Sequence, residues 1–240
     1  MIPPGRPDGP GGAERQGAST AGPFGIIILA GGRARRLGGA DKPGLVVGGQ
    51  TLLAAVVAAG TEAGTRRIVV VGPGRPEIAD HGGTAPVRFV REEPPGAGPV
   101  PALRRGLAEV DGPAHGRAEP WVAVLAADLP FLRAGHLRAL LAAAAGHDGA
   151  VLADDGGRAQ WLAGCWRTGT LRRAAAGYRG SSLHGLLAPL RPVSVSLPSG
   201  PGEPPPWLDC DTEQDLRRAR DWRGGHQAAA EPSPQEPAAQ

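Results

Sequence analysis

Lysine is almost missing from this chain. Its 26 basic side chains include a single lysine, Lys42, and all the others are arginine. Cysteine is also scarce: Cys165 and Cys210 lie far apart and form no metal-spaced pair, which suits a reducing, cytoplasmic setting. Long apolar runs are absent, and none approaches the ~18 residues of a membrane span. The N-terminus carries no apolar core of a secretion signal. Charge of one sign is barely in excess. The sequence pI near 9.5 reflects a formal net charge of only +3, and the arginines are scattered without interleaved aromatics, so nucleic acid is not an expected partner. The six histidines show no ligand spacing and read as surface or helix-end residues. The five tryptophans read as core or lid residues, with Trp161 and Trp207 the two to follow near a pocket.

Glycine and proline are plentiful, at 39 and 26, but unevenly spread. Residues 1–22 and 223–240 are Pro-, Gly- or Ala-rich without apolar periodicity and read as disordered tails. Residues 23–222 then form one domain, long enough for a sizeable core. Within it, apolar runs at Gly25–Ala30, Arg67–Val71, Val87–Val90, Trp121–Ala126, Ala150–Ala153 and Val193–Leu197 predict strands. Helical patterns fall at Thr51–Ala63, Pro99–Val110, Ala134–Ala145, Thr168–Ala176 and Thr212–Asp221. Short apolar strands alternating with helices predict a three-layer α/β/α, Rossmann-like fold around a mostly parallel, doubly covered sheet. Ligands of such folds sit beyond the carboxyl ends of the strands, which makes the residues after each strand the ones to examine.

After the first strand come Ala30-Gly31-Gly32, three arginines (Arg33, Arg35, Arg36), Gly38-Gly39 and then Lys42. Glycines admit close backbone approach to phosphate oxygens, and successive N–H groups can form an anion nest. The arginines add charge-assisted donors. Lysine supplies a compact, mobile point charge where a planar guanidinium would not serve. The spacing matches neither a Walker A loop nor the dinucleotide G-x-G-x-x-G. After the fourth strand, Asp128 precedes Leu129-Pro130; it suits Mg²⁺, and equally a helix cap. Asp209 and Asp211 alternate and so share one side of an extended segment, for metal binding or for capping the helix that starts near Thr212. Glu92 and Glu93 open a Gly/Pro-rich loop that suits either contact with a base or a plain surface turn. A basic loop, a strand-tip acid and a late acid pair together suggest nucleotidyl transfer, with cations neutralising a triphosphate.

The run from Leu29 to Lys42 contains L-A-G-G-x-x-x-R-x-G-x-x-D-K, followed by Gly98-Pro99-Val100-Pro101-Ala102-Leu103, Asp128-Leu129-Pro130 and Asp209-Cys210-Asp211-Thr212. With these elements the chain, from about Gly25 to Arg220, resembles the molybdenum cofactor guanylyltransferases of the nucleotidyltransferase superfamily. The resemblance implies transfer of GMP from GTP to the terminal phosphate of molybdopterin, with release of pyrophosphate. It implies that Leu29, Ala30, Gly31 and Gly32 contact the nucleotide, that Arg36 and Lys42 bind its phosphates, and that Asp128 holds Mg²⁺. Asp209 and Asp211 would close the metal side, while Gly72 and Glu92 fall where the base is contacted. A molybdoenzyme maturation protein is the implied downstream partner. The acidic Asp209 and Asp211 keep a cytidylyltransferase open, or a transferase for another phosphorylated acceptor. A nucleotide-binding regulator without turnover is the non-enzymatic alternative.

Overall fold

The computed structural model describes residues 22–31, 41–79, 83, 85–110, 119–200 and 202–230. Residues 1–21 of the expected N-terminal tail, Gly32, Arg33, Arg35, Arg36, His81 and His115 lie outside them.

Strand β1 (Phe24–Leu29) is buried along its whole length and organises the sheet. It pairs in parallel with β4 (Ile68–Val71) on one side and β6 (Trp121–Ala126) on the other, and β4 pairs in parallel with β5 (Val87–Val90). Because successive side chains alternate between faces, Ile26 and Ile28 enter one core and Ile27 and Leu29 the other. The first core is closed by α1 (Leu52–Glu62) and α4 (Ala134–Ala143) through Leu53, Val56, Val57, Leu137, Leu140 and Leu141. The second is closed by α3 (Pro99–Val110), α5 (Thr168–Gly177) and α6 (Leu183–Leu187). This is the expected three-layer arrangement with a sheet apolar on both faces.

The sheet has seven strands in the order β5-β4-β1-β6-β8-β7-β9. Here β7 is Gly149–Ala153, β8 is Ala159–Arg167 and β9 is Val193–Ser196. Strand β8 was not expected, and it runs antiparallel to both β6 and β7. Its sequence, Ala-Gln-Trp-Leu-Ala-Gly-Cys-Trp-Arg, has no Val, Ile or Thr to announce a strand. Its pairing with β7 jumps from Val151↔Gly164 to Leu152↔Gln160, so Trp161–Ala163 bulge out of register. A bulge re-aims side chains, and Trp161 and Leu162, though adjacent in sequence, both pack against the α3–α5–α6 core. At the other end of β8, Trp166 lies against its paired residue Gly149, where a Cβ would come within 2.5 Å of the indole.

A small hairpin, β2 (Val46–Val47) and β3 (Gln50–Thr51), leads into α1, whose first turn is capped by Thr51 Oγ1 accepting from Ala54 N at 3.1 Å. Between β4 and β5 runs the four-residue helix α2 (Pro76–Ala79). The last helix, α7 (Glu213–Ala230), continues eight residues past the boundary expected at 222, so the tail read as disordered begins as helix. Leu216 and Ala219 of α7 join Val47, Leu52, Phe131, Leu208 and Cys210 in a third, smaller cluster that ties the hairpin, the start of α1, the segment after β6 and the segment before α7 together. No helix among the described residues is long and apolar enough to cross a membrane.

Candidate active site

From β1 the chain moves outward to β4 and β5, then returns to β6 on the other flank of β1. That reversal opens a crevice at the carboxyl ends of β1 and β6. The register places Leu29 opposite Val71 and Ala126. Gly31, Gly72–Pro73 and Ala127–Asp128 therefore emerge side by side.

On the β4–β5 side lies a cleft of about 730 Å³ lined by Leu29, Gly31, Gly72, Glu92, Gly98 and Leu162, among others. Its floor is mostly backbone. Ala30 N donates to Val71 O at 2.9 Å and Gly72 N to Val90 O at 2.8 Å, so the three strands stay laced just beyond their ends. The side chain of Ala30 faces the core rather than the cleft. A Cβ on Gly72 would stand 3.0 Å from the carbonyl carbon, the oxygen and the Cβ of Ala30, and this close approach is what requires glycine. The buried carboxylate of Glu92, 8% exposed, accepts from Gly96 N at 2.8 Å through Oε1 and so shapes the loop into α3. Of the expected residues Leu29, Gly31, Gly72 and Glu92 share this cleft. Leu162 was missed because its strand was missed.

On the β6 side stands a charged cluster. A single 3-10 turn, Lys42–Gly44, carries the lone lysine inward, and its ammonium forms ion pairs with both Asp128 and Asp211. Lys42 and Asp128 are mostly enclosed, with side chains 16% and 14% exposed, whereas Asp211 is half exposed. Burial pulls the Lys42 pKa down, but Asp128 and then Asp211 more than reverse this and leave it above the ordinary lysine value. The ammonium is firmly charged.

The capping alternatives resolve against both acids. Helix α7 has a reciprocal cap of its own: Asp215 N donates to Thr212 Oγ1 at 3.2 Å, and Thr212 N to Asp215 Oδ2 at 2.8 Å. Asp211 is left for Lys42. Helix α4 is entered through Arg133, whose N–H donates to His136 Nδ1 at 3.1 Å, and Asp128 lies too early to take part. Asp209 is exposed on the same side as Asp211, with Cys210 buried between them. Partial desolvation of its carboxyl first, then the charges of Asp211 and Asp128, push Asp209 up to about 6, with Lys42 opposing. Burial and Asp128 likewise push the Cys210 thiol up to about 12, so it stays protonated and inert.

A divalent cation fits this donor set in one specific way. Asp128 Oδ1 is buried and has no hydrogen-bond partner, an orphaned acceptor that would ordinarily be costly. Among the described residues no three His, Cys, Asp or Glu side chains converge into a ready metal cage. A cation here would draw its remaining ligands from water and from a bound phosphate, which is the usual habit of Mg²⁺. Chemically, the two halves offer a cleft of backbone, proline and leucine with Arg91 and Glu92 on its lining, wide enough for a ring, and a cluster of one ammonium among carboxylates that would receive phosphates together with a cation.

Residues 26–193 match the family model described as MobA-like NTP transferase domain. A molybdenum cofactor guanylyltransferase from Bradyrhizobium sp. (strain ORS 278) is 32% identical over 205 residues, spanning 80% of this chain and 90% of that protein. Among solved structures, a nucleotidyl transferase from Methanothermobacter thermautotroptrophicus superposes with a TM-score of 0.65 at 21% identity, over 85% of this chain and 98% of that one. Rv0371C of Mycobacterium tuberculosis H37Rv, solved as a complex with manganese, gives 0.61 at 21% identity, over 84% and 100%.

Proposed function

Because the chain belongs to the MobA-like NTP transferase family, we propose that it transfers GMP from GTP to the terminal phosphate of molybdopterin. An oxygen of the acceptor phosphate attacks the α-phosphorus of GTP. The bond from that phosphorus to the β-bridging oxygen breaks, and pyrophosphate leaves with the electron pair. The acceptor oxygen is already anionic, so no strong general base is required, and catalysis rests on positioning and charge neutralisation.

The observation that carries this reading is the ammonium of Lys42, the sole lysine, held between Asp128 and Asp211 beside the cleft. In the proposed mechanism Lys42 turns part of its bonding toward the phosphates. Asp211, the more exposed partner, is the cheaper one to release. Gly31 presents backbone to the phosphates, and Gly32 and Arg36, both outside the described residues, would add an amide and a second cationic contact. Leu29 and the backbone of Ala30 and Gly72 border the ring. Glu92 has one carboxylate oxygen committed to Gly96 and offers the other to the N–H edge of guanine, a donor edge that a carboxylate reads well. Asp128, with Asp209 or Asp211, would hold Mg²⁺. When bound, the ion supplies neutralisation of charge on the transferring phosphate. The cysteines are both free and buried, in keeping with a reducing cytoplasm.

The test is pyrophosphate release with Mg²⁺ and molybdopterin, supplying GTP, CTP, ATP and UTP in parallel. Release with GTP alone is the expected result. A preference for CTP would move the protein to the cytidylyl reading that Asp209 and Asp211 motivate. Nucleotide binding without release would favour a regulator or a different acceptor.

A further inference from the structure

We propose that Arg75 is a positioning residue, which holds Lys42 in place through Asp41. The inference rests on the reading of Lys42 as the phosphate-binding cation. Arg75 follows the Gly72–Gly74 turn at the end of β4, and its guanidinium forms an ion pair with Asp41, the residue immediately before Lys42. Asp41 occupies the N-cap of the 3-10 turn that carries Lys42, a position where an aspartate side chain normally bonds the turn's own amides. Here it makes no such bond and is drawn sideways to Arg75. The turn closes through Asp41 O, which accepts from Gly44 N at 3.0 Å, so fixing Asp41 fixes the first residue of the turn. Gly44 completes the fit: a Cβ there would stand 2.6 Å from Asp41 Oδ2 and 3.0 Å from an Arg75 guanidinium nitrogen.

Stability alone does not account for this contact. Asp41 is 62% exposed, and an ion pair with so exposed a partner contributes little to stability. Arg75, in contrast, is 11% exposed, and its Nε is buried without a hydrogen-bond partner, both of which cost free energy. Among the described residues its other ion pair is with Glu77 Oε1, at 3.7 Å from the second guanidinium nitrogen. A largely buried arginine with an unsatisfied donor, aimed at the residue beside the lone lysine, is accounted for by what it does to that lysine. The cluster beyond is demanding, since the ammonium must meet Asp128 and Asp211 from two distant parts of the chain.

The experiment compares Asp41→Ala, Arg75→Ala, the double variant and Arg75→Lys in the full-length protein, measuring kcat and KM for GTP. Each alanine variant should lower kcat by about 10- to 100-fold, the scale of an ångström-sized misplacement. The double variant should be no worse than the worse single one, and Arg75→Lys should recover most of the loss because it retains the pair. A second readout needs no turnover. In protein labelled with ¹³C at lysine, Lys42 gives one side-chain Cε signal, which should move in both alanine variants; the rescue by Arg75→Lys, which adds a second lysine, is read from kcat alone. Unchanged kcat and an unmoved signal, or losses that simply add, would overturn the proposal. If Lys42→Ala keeps its turnover, the underlying reading of Lys42 fails instead, and the lysine signal still decides whether Arg75 places the side chain.

Discussion

The two halves of the crevice are built on opposite plans. The cleft over β1, β4 and β5 is walled by backbone that hydrogen-bonds across neighbouring parallel strands, with Glu92 its buried charged side chain. The cluster beyond β6 consists of side chains brought from three remote segments, with Lys42, Asp128 and Asp211 depending on one another for neutralisation. The first half follows from the sheet's register and needs mainly that side chains stay out of the way. The second exists only as a balance of charge, and removing Lys42 or Asp128 takes the counter-charge from a partner that is mostly enclosed. In the proposed function, recognition of a ring and handling of phosphates would thereby fall to different physical means.

Substitutions in the charged half should break this contrast most visibly. Lys42→Ala or Asp128→Asn should lower pyrophosphate release by about 100- to 1,000-fold, the scale for losing one preorganised electrostatic partner. In the cleft, Glu92→Gln keeps an acceptor for Gly96 N but loses the charge proposed to face the base. Steady-state kinetics should show kcat/KM for GTP falling by about 10- to 100-fold, the worth of a hydrogen bond to a charged group, while residual CTP turnover changes less. Gly72→Ala pushes a methyl against the Ala30 backbone and should cost about 1–3 kcal/mol of stability, read as a Tm several degrees lower, with weaker GTP binding.

The smallest effect concerns pH. Asp209, ordinarily near 3.8, titrates at about 6 because burial and the neighbouring acids disfavour its charge. The folded protein holds that proton more tightly than the unfolded chain, so the cost is absent below pH 4, grows between 4 and 6 and is complete above 6. Asp209→Asn should therefore raise Tm at pH 8, by about 1–2 °C given the exposure of the side chain, and leave it unchanged at pH 4.

Most of the fold could be read from the chain because its parallel strands are continuous apolar runs, such as Ile26–Leu29 and Val122–Leu125. Strand β8 could not, since Gly164 and the bulge at Trp161–Ala163 erase both β-branched composition and alternation. The two-residue strands of the hairpin are too short to carry a period. At the site, Lys42 and Asp128 stood out individually, the first by rarity and the second by its place after a buried strand. Their contact with each other is a tertiary event that no spacing encodes. Sequence likewise left Asp211 undecided between metal and cap, and the reciprocal bonds of Thr212 and Asp215 take the cap from it. Leu162 was hidden with its strand. Arg75 was one arginine among 25, and only its place directly after the Gly72–Gly74 turn could have marked it.

The most direct test of the account is pyrophosphate release from GTP and molybdopterin by the wild-type protein and Lys42→Ala, side by side with their thermal unfolding. The account predicts turnover by the wild type, a loss of about 100-fold or more in the variant, and a variant that still unfolds cooperatively. Near-normal turnover by Lys42→Ala would contradict it.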